Sequence, residues 1–442
     1  MNKVSFYLVT DTHYFERSLG AEGAAFENYT RCEQYFLRES SSIVSAVFDR
    51  IAQDQETDII ILPGDLSKNG EKESHKSFVK ELYKLKEKGK KIFVLTAGHD
   101  YNEYSRAYKD DMRIDVEGTS FDELYEFYKD FGYSEAVAFH QRTHSYMAQI
   151  TDGVRMLAIN CDSFNNPKGT MDEELMAWSK VQLDKAKEDN CSVFAICHYP
   201  IIPGVPVFDL VGDAKIKDWR TVASFLADNG VELALTGHMH IQSINEFYSE
   251  KGNRLIDICT SCLVGSPAKY RKITVDDTST LKVETIDVGD FGMDLGGLES
   301  QEYFDRQFRR AIINRVCDAL RSGDGISKYF KKLGLSFVEN GTFGNLSNLL
   351  LLKIDKELAK IRIIDFIGEV GIGIFKGDMP YVKGTAVYNA ISSVLKRFSF
   401  VIKRVEPKLS KGGDKIDLEK MLLDTIGNNK GFSDNDAEFK LR

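Results

Sequence analysis

Short apolar runs that stop abruptly at polar residues recur along this chain. Val4, Phe6, Leu8 and Val9 lead into Thr10-Asp11-Thr12-His13, Ile59 to Leu62 into Pro63-Gly64-Asp65, and Ile92 to Leu95 into Thr96-Ala97-Gly98-His99-Asp100. Val193 to Ile196 precede His198, and Leu233 to Leu235 precede Gly237-His238-Met239-His240. Runs this short, bounded by turn residues, predict buried strands. Between them the apolar spacing becomes helical: Ile43, Val47 and Ile51; Phe78, Leu82 and Leu85, with Gly89 as a C-cap; Leu175, Trp178 and Leu183; Val222, Phe225 and Leu226, ended by Gly230. Strand-helix alternation predicts an α/β fold with a largely parallel or mixed sheet covered by helices. After residue 240 the pattern shortens, and Ser243 to Phe247, Leu255 to Ile258, Arg271 to Val275 and Leu281 to Ile286 read as strands completing a second sheet.

A boundary is expected where Gly292, Gly296 and Gly297 cluster, dividing a domain of residues 1–290 from a helical C-terminal domain of residues 296–442. Phe304, Phe308, Ile312 and Val316 recur every four residues and predict its first amphipathic helix, with others over Leu349 to Ile363 and Tyr388 to Val405. The residues from Gly427 onward are polar and read as frayed. Ile361 to Phe375 is the most apolar late stretch, but Arg362, Asp365 and Glu369 interrupt it, and a membrane span needs about 20 apolar residues. It reads as a buried helix or irregular core segment.

Composition narrows the partners. The 442 residues carry a formal net charge of -9, unevenly spread. From Gly296 onward 25 Lys and Arg stand against 19 Asp and Glu, so the tail is +6 and the remainder -15. Tail cations are interleaved with acids and apolar positions, which reads as a solvated helical face and gives no strong case for nucleic acid. The odd number of cysteines, seven, argues for a reducing compartment, here the cytoplasm. Cys259-Thr260-Ser261-Cys262 lacks the second pair that a structural zinc site needs, and packing accounts for it. No secretory signal is expected, since cleavage after the short apolar run near Met1 would remove the first polar cluster.

That cluster and its four successors carry the chemistry. Carboxylates with neutral imidazoles suit Mn, Fe, Zn or Co, whereas an all-oxygen set would suit Ca or Mg. Two cations need a shared ligand, and Asp65, a lone carboxylate between histidine clusters, is the candidate bridge. Polar ligands of open α/β sheets belong at the carboxyl ends of strands, where these fragments fall.

The fragments Asp11-x-His13, Gly64-Asp65, Gly98-His99-Asp100, His198 and Gly237-His238-x-His240 resemble the motifs of the calcineurin-like metallophosphoesterases. The likeness spans residues 1 to 290. Gly64-Asp65-Leu66-Ser67-Lys68-Asn69-Gly70-Glu71 with Ser74-His75 is similar to the bacterial class III cyclic nucleotide phosphodiesterases, some of which carry a helical extension. The Asp-Arg-Gly of the protein-phosphatase branch is absent. The resemblance implies a metallophosphoesterase β-sandwich, two mixed sheets flanked by helices in αββα order, followed by an all-α C-terminal domain. It implies one metal on Asp11, His13, Asp65 and His240, another on Asp65, His198 and His238, a hydroxide between them, and His99 as the residue that stabilises the transition state or protonates the leaving oxygen. Two divalent ions (Mn, Fe or Zn, with Mn preferred) are the expected cofactors.

One stretch departs from the pattern. Gly98 stands where the family has a metal-binding Asn, and Ala97 where it has Gly. The second site is then weaker, or a water, a backbone carbonyl or a side chain such as Asn102 takes over; if it is weaker, Gly98→Asn should tighten metal binding. The remaining histidines read as structural: His75 falls on the apolar face of a helix, and His140 and His144 precede a strand. Residues 14–38 form a long connection, and Tyr14, Phe15, Tyr29 and Tyr35 either stack on a base or pack beneath the loop. The expected substrate is a small phosphoester, a phosphodiester such as a cyclic nucleotide before a phosphomonoester. The competing class is a metal-binding protein with weakened catalysis acting through its helical domain. An apolar stripe on the first tail helix would pack on the catalytic domain or on a second subunit, so oligomerisation through the C-terminal helices is an open expectation.

Overall fold

The computed structural model describes residues 2–163, 168–322, 334–409 and 415–442. In chain order the strands are β1 (Val4–Leu8), β2 (Ile59–Pro63), β3 (Lys91–Leu95), β4 (Asn102–Lys109), β5 (Met112–Thr119), β6 (Ala136–His140), β7 (Ser145–Thr151), β8 (Val154–Ile159), β9 (Ser192–Cys197), β10 (Leu233–Thr236), β11 (Ser243–Tyr248), β12 (Arg254–Cys259), β13 (Lys269–Val275), β14 (Thr280–Asp287) and β15 (Ala437–Lys440). The helices of the first part are α1 (Ala24–Thr30), α2 (Leu37–Gln53), α3 (Lys72–Glu87), α4 (Phe121–Tyr128), α5 (Glu173–Glu188) and α6 (Trp219–Asp228). Those of the second are α7 (Ser300–Ser322), α8 (Gly334–Asn340), α9 (Phe343–Leu350), α10 (Ile363–Lys376), α11 (Ala386–Arg397), α12 (Ser399–Leu409) and α13 (Leu418–Thr425).

Two mixed sheets face each other, in the orders β15-β14-β13-β1-β2-β3 and β11-β12-β10-β9-β8-β7-β6. Within the first, β1, β2 and β3 run parallel, and within the second, β8, β9, β10 and β12 do. Side chains alternate across each sheet, which explains runs that look uniformly apolar in sequence. Phe6 of β1 stacks on Phe194 of β9 with ring centroids 5.3 Å apart, so these positions meet between the sheets. Tyr7 points the other way, and its hydroxyl donates to Asp54 just after α2 at 2.6 Å. On the second sheet, Leu157 and Ala195 turn outward against Leu175 and Leu183 of α5 and Val222 and Leu226 of α6. The result is the expected sandwich of two mixed sheets flanked by helices, with a helical C-terminal region.

Four readings need correction. The strands after residue 240 do not share a sheet: β11 and β12 join the second, β13 and β14 the first, because the chain crosses the sandwich between Cys259 and Lys269. A continuous helix over Leu349 to Ile363 does not form. The Thr342 and Asn345 capping box starts α9 early, Leu351 in a left-handed conformation (φ 55°) ends it, and α10 begins at Ile363. Likewise Tyr388 to Val405 is split at Phe398 into α11 and α12.

The tail from Gly427 is not frayed. β15 pairs antiparallel with β14, setting Phe439 opposite Leu281, and Phe439 and Leu441 are buried. Arg271, on β13, is fully buried and donates to the carbonyls of Asn435 (2.8 Å), Asp434 (2.9 Å) and Cys259 (3.2 Å). Polar residues in this segment are partners for one buried guanidinium. Among the described residues no helix is long and apolar enough to cross a membrane.

Replacing Arg271 with Met leaves buried carbonyls without donors, at about 1–3 kcal/mol for each. Urea unfolding of Arg271→Met should therefore show a loss of about 3 kcal/mol or more, and deletion of residues 434–442 should also lower the midpoint. A tail that merely lay on the surface would leave the midpoint of the deletion variant where it was.

Candidate metal centre

The carboxyl ends of parallel strands from both sheets deliver the polar residues to one place. Asp11 and His13 follow β1, Asp65 follows β2, His99 follows β3, His198 follows β9, and His238 and His240 follow β10. Backbone bonds fasten these loops to one another: Asp11 N–H to Gly64 O at 3.2 Å, His13 N–H to Asp65 O at 3.0 Å, and Gly237 N–H to His198 O at 2.9 Å. The fit is close enough to exclude a Cβ at two glycines. A methyl group at Gly64 would stand 2.7 Å from Ala97 Cβ and 2.8 Å from His198 Nδ1, and one at Gly237 would run into Thr10 Oγ1 and Asp11 Oδ2. Asp11, His13, Asp65, His238 and His240 all have left-handed φ, between 32° and 67°. Each such non-glycine residue costs about 1–3 kcal/mol, and such strain concentrates at ligand clamps.

Ligand atoms of Asp11, His13 and Asp65 lie within 4.8 Å of one another, and so do those of Asp65, His198 and His238. Asp65 is common to both sets. His13 Nε2 and His240 Nε2 face each other at 3.1 Å, and His240 Nε2 is 3.3 Å from Asp11 Oδ1. His198 Nε2 is 3.0 Å from Asp65 Oδ2, while its Nδ1 donates to the Pro63 carbonyl at 2.9 Å. Asp11 is held from behind by the Thr10 hydroxyl at 2.6 Å and by the His238 N–H at 3.1 Å.

Asp11 and Asp65 are 0% and 2% exposed. Burial by itself would raise the Asp11 pKa, but the charge of His198 and the contact with His240 hold it at about 2. Asp65 likewise lies well below the usual range, since His198, His99 and His13 outweigh its burial. Burial pushes His13 down to about 3, so its imidazole is neutral. His198 is the exception: burial would lower it, yet Asp65 and Asp11 raise it well above 6.5. Facing imidazole nitrogens and two buried carboxylates, joined by His198 once it gives up its proton, are a donor set that fits a pair of divalent transition ions.

His99 is half-buried at the rim. Its Nδ1 donates to the Lys68 carbonyl at 2.9 Å, which leaves Nε2 as the other ring nitrogen, and its N–H donates to Asp65 Oδ1 at 3.1 Å. Asp100 locks the loops behind it, accepting from Leu66 N–H (2.7 Å), Ser67 N–H (2.9 Å) and Ala97 N–H (2.8 Å). His75 is packed, as its helical face implied: Nε2 donates to the Asp100 carbonyl at 2.8 Å and Nδ1 accepts from Tyr128 at 2.6 Å. His140 bonds Thr143 and His144 stacks on Phe121, both away from the centre. The loop aromatics pack: Tyr14 on Phe78, Phe15 on Phe26, Tyr29 on Tyr108, and Tyr35 on His13.

Three residues near the centre escaped the sequence reading of ligands. Tyr35 stacks on His13 with centroids 4.4 Å apart. Cys262, read only as packing, donates to the Asp11 carbonyl at 3.0 Å and groups with His13 and His240. Asp162, just beyond β8, accepts from the Gly98 N–H at 2.9 Å. Its signal was an apolar run ending in Asn160-Cys161-Asp162, without the histidine spacing that marks the others.

Residues 4–242 match the family described as calcineurin-like phosphoesterase. No curated protein matches the chain. Among solved structures it is similar to a dimetal phosphatase from Danio rerio (11% identity, 64% of this chain and 96% of that one, TM-score 0.46). A purple acid phosphatase from yellow lupin, Lupinus luteus, is similar at 12% identity, over 65% of this chain and 52% of that one, with a TM-score of 0.40. A putative 5'-nucleotidase from Staphylococcus aureus is similar at 13% identity, over 69% and 58%, with a TM-score of 0.40.

A cation entering between Asp65 and His198 must displace the proton that these carboxylates hold on His198. Proton and metal compete below the raised His198 pKa, so affinity falls as pH falls. Mn affinity measured by competition with a chelating dye should rise from pH 6 to pH 8 by up to about tenfold per unit. Calorimetry in buffers of different ionisation enthalpy should register the released proton; a pH-independent affinity would mean that His198 is neutral.

Proposed function

The chain belongs to the calcineurin-like phosphoesterase family, and on that premise we propose that it is a metal-dependent phosphodiesterase whose substrates include small phosphodiesters such as cyclic nucleotides. Asp11, His13, Asp65 and His240 hold one cation, and Asp65, His198 and His238 hold the other, with Mn the preferred ion. The observation that carries this reading is the convergence of two donor sets on the shared, buried Asp65. Cations bound there supply a water of lowered pKa and neutralise the attacking and leaving oxygens of an in-line displacement.

The chain's own residues do the rest. Asp65 Oδ1 is anchored by the His99 N–H, so the shared carboxylate and the acid move as one unit. His99 keeps its Nδ1 proton on Lys68 O, and its Nε2 delivers a proton to the leaving alkoxide as the P–O ester bond breaks. The stretch that resembles the cyclic nucleotide branch is the cradle of that histidine: Lys68 supplies the carbonyl, and the Ser67 hydroxyl donates to His99 O at 3.1 Å. Lys68 is itself fixed, buried among Phe15, Tyr29 and Tyr108 and 3.6 Å from Glu71. This supports hydrolysis of esters with a poor alkoxide leaving group, and the likeness of the stretch to the cyclic nucleotide branch is what favours a diester. The odd cysteine count supports a reducing, cytoplasmic setting.

With Mn present, bis(p-nitrophenyl) phosphate should be hydrolysed and p-nitrophenyl phosphate should not. The reverse preference makes the protein a phosphomonoesterase, and turnover of neither at any Mn level makes it a metal-binding protein. In His99→Ala, kcat for a diester with an alkyl leaving group should fall by about 10²–10⁴ while metal content by elemental analysis is unchanged.

A further inference from the structure

Position 98 lacks the side chain that the second cation takes from an asparagine elsewhere in the family. We infer that Asp162 supplies the missing oxygen ligand. This rests on the two-cation reading above and goes beyond it in naming a ligand on a different strand.

The topology leaves a place for it. β1, β2 and β3 of one sheet and β9 and β10 of the other are each followed by a polar residue of the centre, and β8, hydrogen-bonded in parallel to β9, is followed by Asn160-Cys161-Asp162. The Asp162 carboxyl group is carried to the gap at Gly98. A Cβ built on Gly98 would stand 3.1 Å from Asp162 Oδ2, so this carboxylate already fills the space into which an asparagine at 98 would project. The Gly98 N–H holds Oδ2 at 2.9 Å, and among the described residues no hydrogen bond reaches Oδ1, although the residue is 2% exposed. A buried carboxylate oxygen without a donor is costly, and a cation satisfies it. The loop is preset rather than free: Asp162 N–H donates to Asn160 Oδ1 at 2.9 Å, Asn160 N–H to Ser145 Oγ at 2.9 Å, and the Asn160 amide reaches Thr96 Oγ1, beyond β3, at 3.4 Å.

The substitution exchanges a neutral oxygen ligand for an anionic one, so the second site is not weakened by Gly98. The expectation that Gly98→Asn tightens binding therefore changes. With Asp162 in place, the new side chain crowds Oδ2, and one ligand is gained as another is pushed aside. Lys168 Nζ, 3.4 Å from the same Cβ position, offers Asp162 the alternative role of ion-pair partner.

Metal stoichiometry by elemental analysis and Mn titration calorimetry would be measured on wild type, Asp162→Ala, Lys168→Met, Gly98→Asn and Gly98→Asn/Asp162→Ala. Wild type should bind two ions and Asp162→Ala one, with second-ion affinity lowered at least tenfold. Retention of the first ion reports an intact fold. The double variant should recover the second ion, Gly98→Asn alone should bind no tighter than wild type, and Lys168→Met should match wild type. A second ion held with wild-type affinity by Asp162→Ala overturns the inference, as does an equal loss in Lys168→Met, which would make Asp162 an ion-pair partner only. Wild type without two ions would instead overturn the dinuclear reading itself.

Discussion

Two carboxylates, Asp11 and Asp65, are buried close together beneath a protein surface, and such a pair is tolerable only with positive charge against it. The surroundings meet that demand with imidazoles: His13, His198 and His240 each place Nε2 within 4 Å of one of these carboxylates, and His198 keeps a proton because of them. A divalent cation meets it better, because it satisfies both oxygens and nitrogens at once and leaves the histidines neutral. The parallel strand ends, the strained residues and the glycines at 64 and 237 all serve to bring these groups closer than ordinary backbone would allow.

That arrangement stores strain, and the helical region helps to hold it. Phe36 stacks on Phe304 of α7 with centroids 5.2 Å apart, and Tyr303 donates to Glu39 at 2.7 Å. Between these contacts and the centre lies Tyr35, stacked on His13. On the other side, Gln242, two residues past His240, donates its N–H to Phe375 O of α10 at 2.9 Å, and Asp434 accepts from Ile244 N–H at 3.0 Å. Loops on both sides of the first ligand set are thus fastened to residues beyond 300. The C-terminal strand adds a covalent return path, since the chain leaves the sandwich at β14 and comes back to pair with it.

The polar chemistry was legible wherever it was local. Asp11 with His13, and His238 with His240, carry their meaning in a spacing of two residues after an apolar run, and both pairs converge as expected. His75 was legible for the opposite reason: its helical neighbours are apolar, and it packs among them. Asp162 and Arg271 were not legible. Each derives its role from residues far away in sequence, Gly98 in one case and Asp434 and Asn435 in the other, and nothing in their neighbours records that pairing.

The sequence by itself determined the alternation of strands and helices and the placement of carboxylates and imidazoles at strand ends, because periodicity and short-range order are written along the chain. Only the tertiary structure decided which sheet each late strand joins, that the polar tail returns as β15, and that a carboxylate from β8 lies over Gly98. Those outcomes depend on which surfaces meet when the two sheets stack and the helical region docks, and burial decides which distant polar groups must become partners.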